Sequence, residues 1–202
     1  MLRLKNLGSG SSGNATLIEG SDGLHTRRLL VDCGLGIRQL EARLAEAGLA
    51  LAQIDAIFIT HEHSDHIGCA RSLALKHRIP VWMSHGTHAA LGSPDLDGLL
   101  RTAHDLEPID LGSWQATPFT VPHDAREPLQ LHCTDGATRL GVLTDLGQHI
   151  ESRVRVWLRD TAQGRHVYAV GNSPEATRLT GIATDKVLLG VYVLAGLFYG
   201  IA

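Results

Sequence analysis

Five of the six consecutive residues from His61 to His66 carry an imidazole or a carboxylate side chain, directly after an apolar run at residues 54–60. That run, IDAIFIT, is rich in β-branched and aromatic residues and predicts a buried strand. Polar side chains that follow a buried strand fall in a loop at the sheet edge, where they can converge on one point. The sequence therefore predicts a mixed α/β chain with imidazoles and carboxylates gathered at the edge of a sheet.

The spacing within the loop HEHSDH suits metal ions. Imidazole nitrogens and carboxylate oxygens are ligands for Zn²⁺, Mn²⁺ and Fe²⁺. His61 and His63 are two residues apart, so an extended loop points both the same way, and Asp65 and His66 follow one turn further on. One short loop can thus supply two cations, which in two-metal sites lie about 3.5–4 Å apart. The alternative, a histidine-rich surface loop, is disfavoured because this ordered spacing is rare by chance.

Periodicity predicts a mixture of strands and helices along residues 1–150. Apolar positions at helical spacing, ending at Gly48, predict a helix over 37–47, and a second helix is predicted over 68–76. A loop rich in glycine and serine covers 6–14, and the dipeptide Asp135-Gly136 is typical of a hairpin turn. Strands are predicted over 16–19, 28–32, 54–60, 81–84, 114–121, 129–133 and 139–144.

Two further polar residues follow predicted strands. His123 lies in the sequence VPHD after one strand, and Asp145 lies in LTDLG after another. Each alone is typical of a strand cap or a surface group, so its weight comes from its order behind HEHSDH. His85 and His88 are weaker candidates for substrate contact, and the substrate-binding residues are otherwise unknown from the sequence.

The ordered set of HxHxDH, strand-end histidine and strand-end aspartate resembles the metallo-β-lactamase superfamily. The stretches NLGSGSSGNATLIE and LLVDCG are similar to its WalJ/YycJ-type branch, whose members are exonuclease-like or phosphodiesterase-like hydrolases. The resemblance covers about residues 1–150. It implies an αββα sandwich with a two-metal site at the sheet edge.

The family pattern also implies a role for each matching residue. The first metal would be held by His61, His63 and His123, and the second by Asp65 and His66. Asp145 would bridge both metals, and we expect Asp65 and Asp145 to be the catalytic residues. Asp32 corresponds to a carboxylate behind the metal loop, with an ordinary strand-end cap as the alternative.

The aspartate at position 145 narrows the expected chemistry. Superfamily members that open β-lactams typically carry a cysteine there, whereas phosphodiesterases and thioester hydrolases carry an aspartate. We therefore expect a phosphodiesterase or exonuclease-type hydrolase that uses a metal-bound hydroxide and two divalent ions, zinc first, with manganese or iron as alternatives. The expected substrate is a nucleic acid or a small phosphodiester. The alternatives are a thioester hydrolase of the same fold and an inactive metal-binding remnant.

The family pattern is incomplete after Asp145. The second metal site normally gains another histidine well downstream, but only His149 and His166 remain in this chain. Residues 153–202 instead resemble a cytoplasmic loop and the following helix of sugar-type ABC transporter permeases. We therefore expect an incomplete hydrolase domain over 1–150, joined to a permease-like helical fragment over 151–202 by gene fusion or by an assembly artefact.

Composition adds limits on location and partners. The net charge of −3 argues against a generic polyanion-binding surface, and the three cysteines are few and widely spaced, as in a reduced cytoplasmic protein. Residues 187–202 are uncharged but fall short of the about 20 apolar residues of a membrane span. Membrane association of this apolar tail is a second expectation, and no protein partner is inferred.

Overall fold

The computed structural model describes residues 1–145, which form two β-sheets flanked by helices. The helices of these residues are α1 (Ile37–Ala45), α2 (Ser64–Ile67), α3 (Ala70–His77) and α4 (His85–Ala90), with a short 3-10 turn at Leu51–Gln53. The strands are β1 (Leu2–Gly8), β2 (Ala15–Ser21), β3 (Thr26–Val31), β4 (Ala56–Phe58), β5 (Val81–Met83), β6 (Leu100–Thr102), β7 (Ile109–Asp110), β8 (Gln115–Thr120), β9 (Leu129–Thr134) and β10 (Arg139–Val142).

The two sheets differ in their strand direction. The first has six strands in the order β1-β2-β3-β4-β5-β6, antiparallel up to β3 and parallel from β3 onward. The second has four antiparallel strands in the order β10-β9-β8-β7. β4 is apolar and buried along its whole length, as expected of a parallel strand covered on both faces.

Two hydrophobic clusters define the layers. One contains Leu40 and Leu44 of α1 and Leu73 of α3, packed on the outer face of the first sheet. The other contains Ile18 of the first sheet and Trp114, the residue just before β8, and side chains of both sheets fill the space between them. Residues 1–145 thus provide a helix–sheet–sheet stack, which corresponds to three of the four layers of the predicted αββα sandwich. The predicted hydrophobic C-terminal tail lies outside the described residues.

Most predicted elements are present, with shifted ends. The strand predicted over 54–60 is paired only over Ala56–Phe58, because the chain leaves the sheet to form the histidine-rich loop. The loop predicted over 6–14 begins later, since β1 extends to Gly8 and pairs with β2. The short strands β6 and β7 carry little apolar pattern and were not predicted. No helix within residues 1–145 has the length and apolar character that crossing a membrane requires.

Gly34 marks the tightest approach between the end of β3 and the histidine-rich loop. A Cβ atom at this position would lie 1.6 Å from the backbone oxygen of Asp65. The backbone of Gly34 also donates a hydrogen bond to the carbonyl of Asn14, 2.9 Å away. The absence of a side chain therefore lets three loops meet beneath the same point.

We expect Gly34→Ala to lower the free energy of unfolding by up to about 3 kcal/mol, because backbone must move to admit the methyl group. Gly36→Ala is the matched control, since a Cβ there meets nothing within 4 Å and the residue has an ordinary φ of −64°. Its expected cost is about 0.5 kcal/mol or less. Denaturant unfolding of both variants measures the difference, and equal losses would contradict the close-approach account.

Candidate metal centre

His61 and His63 lie on the loop that follows β4. Two residues after β4, the chain is hydrogen-bonded to the second sheet, because the backbone of Leu129 donates to the carbonyl of Thr60 at 2.9 Å. The side chain of His61 is fully buried, and its Nε2 lies 3.1 Å from Nδ1 of His63. The two imidazoles therefore meet at the edge where the two sheets approach each other.

His123 reaches the same point from the end of β8. Its ring centroid lies 4.7 Å from that of His61 and 5.1 Å from that of His63. Burial, reinforced by the nearby His61, lowers the pKa of His123 and so favours the neutral imidazole. Its buried Nε2 has no hydrogen-bond partner among residues 1–145. A buried, neutral and unsatisfied ring nitrogen is the form in which histidine binds a metal.

Asp145 faces three of the four histidines assigned to the two metals, namely His61, His66 and His123. Its Oδ2 lies 3.2 Å from Nε2 of His66, 3.5 Å from Nε2 of His61 and 3.6 Å from Nε2 of His123. Hydrogen bonds with His61 and His66 hold the pKa of Asp145 well below its usual range, so this carboxyl is ionised. The carboxylate is thus central to the cluster.

Gln130 on β9 fixes the segment that carries Asp145. This buried side chain accepts a hydrogen bond from the backbone of Thr144 at 2.8 Å. Its amide nitrogen donates to the Thr144 hydroxyl at 3.0 Å and to the carbonyl of Asp145 at 3.4 Å. The sequence pattern did not single out Gln130, because a glutamine within an apolar strand carries no motif.

Asp65 and His66 form a second group beside the first. Nε2 of His66 lies 3.6 Å from Oδ2 of Asp65 and 3.2 Å from Oδ2 of Asp145. Burial alone would lower the pKa of His66, but hydrogen bonds to Asp145 and Asp32 raise it to about 10. A cation at Nε2 would replace that proton, since a metal binds the neutral ring.

Asp32 lies behind the histidine-rich loop. Its Oδ2 lies 2.7 Å from Nδ1 of the buried His66, and its Oδ1 accepts from the backbone of Thr60 at 2.9 Å. The Thr60 hydroxyl bonds to both carboxylate oxygens and lies 3.0 Å from Nδ1 of His61. Asp32 and Thr60 together orient His61 and His66 so that each Nε2 faces the cluster. Thr60 was missed as a site residue because it reads as the end of a strand.

Glu62 ties the histidine-rich loop to the loop that carries His123. Its Oε1 accepts a hydrogen bond from the backbone of Arg126 at 2.7 Å. The neighbouring residue Glu127 is held in turn, because its Oε2 accepts from the backbone of Gly86 at 2.6 Å. Residues 122–128 are therefore fastened at two points close to His123.

We expect Glu62→Ala to weaken the first metal site about tenfold, the scale of loss seen when a partner that orients a ligand is removed. Glu62→Gln is the matched control, since its side-chain carbonyl can still accept from Arg126. Titration with Zn²⁺ against a chromophoric chelator measures the zinc affinity of both variants. Unchanged zinc affinity in Glu62→Ala would show that the tether does not position His123.

The donor set fits divalent cations. One ligand atom from each of His61, His63, His123 and Asp145 can be chosen so that all four lie within 4.8 Å of one another. The orphaned Nε2 of His123 points into this group. Three imidazoles and a carboxylate suit Zn²⁺ and related ions. Asp65 and His66 extend the donors towards a second position.

Within residues 1–145, neither His85 nor His88 belongs to this group of ligands. His88 bonds through Nε2 to the carbonyl of Pro94 at 3.1 Å. His85 is exposed at the start of α4. His149 and His166, the remaining histidines after Asp145, fall outside residues 1–145.

Comparison with protein families identifies the superfamily of this chain. The model of the metallo-beta-lactamase superfamily matches residues 8–162. The chain therefore belongs to the metallo-beta-lactamase superfamily of metal-dependent hydrolases, and the family predicted from the motifs is confirmed.

Within the superfamily, the chain is similar to two bacterial proteins named as exodeoxyribonucleases. The chain is 31% identical over 154 residues to the exodeoxyribonuclease YycJ of Bacillus anthracis, covering 74% of this chain and 56% of the relative. It is 34% identical over 146 residues to the exodeoxyribonuclease WalJ of Streptococcus pneumoniae, covering 70% and 53%. The chain thus spans about half the length of these curated relatives.

Three further comparisons concern the fold and a short stretch of the chain. The metallo-beta-lactamase fold protein YhfI of Bacillus subtilis aligns with a TM-score of 0.59 at 17% identity, covering 72% of this chain and 63% of that one. Zinc-bound PqqB of Methylobacterium extorquens aligns with a TM-score of 0.60 at 17% identity, covering 78% and 69%. A separate short match gives 47% identity over 45 residues to the fructose import permease FrcC of Rhizobium meliloti, covering 22% and 12%.

Proposed function

We propose that this chain is a metal-dependent phosphodiester hydrolase that acts on nucleic acid. The observation that carries the proposal is the position of Asp145, whose carboxylate faces His61, His66 and His123 at 3.2–3.6 Å. An aspartate between two groups of ligands suits hydrolysis at phosphorus, where attacking and leaving oxygens both need stabilisation. The names of the relatives YycJ and WalJ support DNA as the substrate.

We assign the ligands to two cations, with zinc as the first expectation and manganese or iron as alternatives. His61, His63 and His123 would hold the first cation, Asp65 and His66 the second, and Asp145 would contribute to both. Divalent cations in such a centre lower the pKa of a coordinated water and offset charge that develops on phosphate oxygens.

Residues of the protein itself orient the histidine ligands and supply negative charge at the centre. Asp32 holds Nδ1 of His66, and Thr60 lies beside Nδ1 of His61, so both rings keep Nε2 directed at the centre. Asp145 stays ionised because its neighbours hydrogen-bond to it. The side chains of Asp65 and Asp145 are 26% and 24% exposed, so both carboxylates are accessible, which supports their place among the residues that meet the substrate.

A parallel assay of two substrates tests this function. The full chain, loaded with Zn²⁺ or Mn²⁺, is expected to cleave end-labelled linear DNA and to leave an acyl-glutathione thioester intact. His61→Ala provides the control for metal-dependent cleavage. Cleavage of the thioester alone would establish the alternative hydrolase. Stoichiometric metal without either activity would establish an inactive metal-binding protein.

We further propose that residues 1–150 are the hydrolase domain and that residues 151–202 have a separate, permease-like origin. Charge supports the division, since residues 1–150 hold 12 Lys and Arg against 17 Asp and Glu, whereas residues 151–202 hold 6 against 4. The short permease match is a second support. Long-read sequencing of genomic DNA across codons 145–160 tests it: an uninterrupted locus supports a fusion, and a break supports an assembly artefact.

The proposed location of the hydrolase segment is the cytoplasm. Cys33, Cys69 and Cys133 are free thiols in the structure, and two of them are buried. Free cysteines are ordinary in a reducing compartment. Association of the apolar tail with membranes stays a separate prediction, tested by fractionation of the full chain.

A further inference from the structure

Asn14, the residue just before β2, reaches from the glycine- and serine-rich loop into the second group of ligands. Its Nδ2 lies 3.1 Å from Oδ2 of Asp65 and 3.0 Å from Nε2 of His66. Neither the sequence motifs nor the proposed function assigns this side chain a role. It is the residue through which the loop over 9–14 touches the centre.

The orientation of the Asn14 amide is fixed by its other end. Its Oδ1 accepts a hydrogen bond from the backbone N–H of Gly10 at 3.0 Å, and its Nδ2 lies 3.4 Å from the carbonyl of Gly10. Nδ2 also donates to the Asp65 carboxylate at 3.1 Å, an assignment that the chemistry of the two groups requires because a carboxylate oxygen only accepts. The bond to Asp65 uses a carboxylate oxygen that has further lone pairs to offer, so it can persist when a cation binds Asp65.

Backbone contacts lock Asn14 in this place. Its N–H donates to the carbonyl of Asp65 at 2.7 Å, and its own carbonyl accepts from Gly34 at 2.9 Å. Gly13 packs so closely that a Cβ there would lie 2.7 Å from the oxygen of Gly34. The side chain therefore presents its amide from a base that is tied directly to the ligand it meets.

We propose that Asn14 is a positioning residue for the second cation: its side-chain amide holds the Asp65 carboxylate in the orientation that binds the ion. This inference rests on the proposed function, because it requires that Asp65 and His66 hold a cation. Asn14 acts through Asp65 and does not itself ligate the metal. Groups that orient metal ligands typically change metal affinity 10–100-fold when removed.

The test follows stepwise binding of Zn²⁺ to the full-length protein, with a chromophoric chelator as competitor. In Asn14→Ala we expect the second binding step to weaken about 10–100-fold while the first stays as in wild type. The first binding step is the internal control for a general structural effect. Within residues 1–145, no hydrogen bond joins Asn14 to His61, His63 or His123. Ser12→Ala, an exposed position in the same loop, is the matched control and is expected to keep both steps.

Asn14→Ser is a second test in case the alanine variant fails to fold. Serine is compatible with the loop but is too short to contact both Gly10 and Asp65. The same selective loss of the second step is expected. Unchanged or tighter second binding in either folded variant overturns the role of Asn14, even where wild type binds two ions and cleaves DNA. Equal weakening of both steps also overturns it, in favour of a general structural role. A wild-type protein with a single binding step overturns the second site and the role of Asn14 together.

Discussion

Asp145→Asn is expected to lower DNA cleavage at saturating metal by at least about a thousandfold. The contribution of metal-assisted stabilisation at phosphorus is several kcal/mol, and each 1.4 kcal/mol corresponds to a factor of ten in rate. Asparagine keeps the size of the side chain but removes the charge that faces His61, His66 and His123. The measurement is the rate of end-labelled DNA cleavage with Zn²⁺ or Mn²⁺ in excess.

Asp110→Asn is the control for Asp145→Asn, because Asp110 is exposed on β7 and its Oδ1 bonds only to the backbone of Gly112 in the described residues. An asparagine there can accept the same bond. We expect its cleavage rate to match that of wild type. A DNA cleavage rate of Asp145→Asn within tenfold of the Asp110→Asn rate would contradict a central role of Asp145 in cleavage.

Asp32→Ala is expected to lower the free energy of unfolding by about 3–5 kcal/mol, the scale seen when one partner of a buried charged pair is removed. Asp32 is 1% exposed, and its loss leaves the backbone N–H of Thr60 and Nδ1 of His66 without their acceptor. Its φ of +62° adds strain for alanine. Denaturant unfolding of the metal-free proteins measures the loss.

Asp32→Asn separates folding from metal binding. Asparagine tolerates the positive φ and can still accept from Thr60, so the loss of stability is expected to be smaller than for alanine. Its amine end, however, presents a donor to Nδ1 of His66, which favours the tautomer with the proton on Nε2. We expect the second zinc-binding step to weaken about 10–100-fold. A variant that binds both ions as wild type does would show that Asp32 is only a structural cap.

The fold and the first ligands could be predicted because they rest on local patterns. IDAIFIT is apolar enough to be a buried strand, and HEHSDH follows it without a gap, so the loop and its place at a sheet edge come from adjacent residues. His123 and Asp145 lie far along the chain. They were placed by resemblance to a family, since no local pattern distinguishes them from strand caps.

The residues that hold the ligands in place could not be predicted, because each depends on contacts between distant segments. Asn14 and Asp65 are 51 residues apart, and Glu62 and Arg126 are 64 apart. Gln130 lies within an otherwise apolar strand and bonds across to Thr144. An asparagine in a glycine-rich loop has the same sequence signature whether it caps a turn or orients a carboxylate.

The central claim is that the histidine-rich loop, His123 and Asp145 bind divalent metal for hydrolysis. Elemental analysis of the purified full-length protein, beside His61→Ala, tests it most directly. The account predicts two stoichiometric divalent ions per wild-type chain and loss of the first-site ion when His61 is removed. A wild-type protein that carries no stoichiometric metal, after exposure to Zn²⁺, Mn²⁺ and Fe²⁺ in turn, would contradict it.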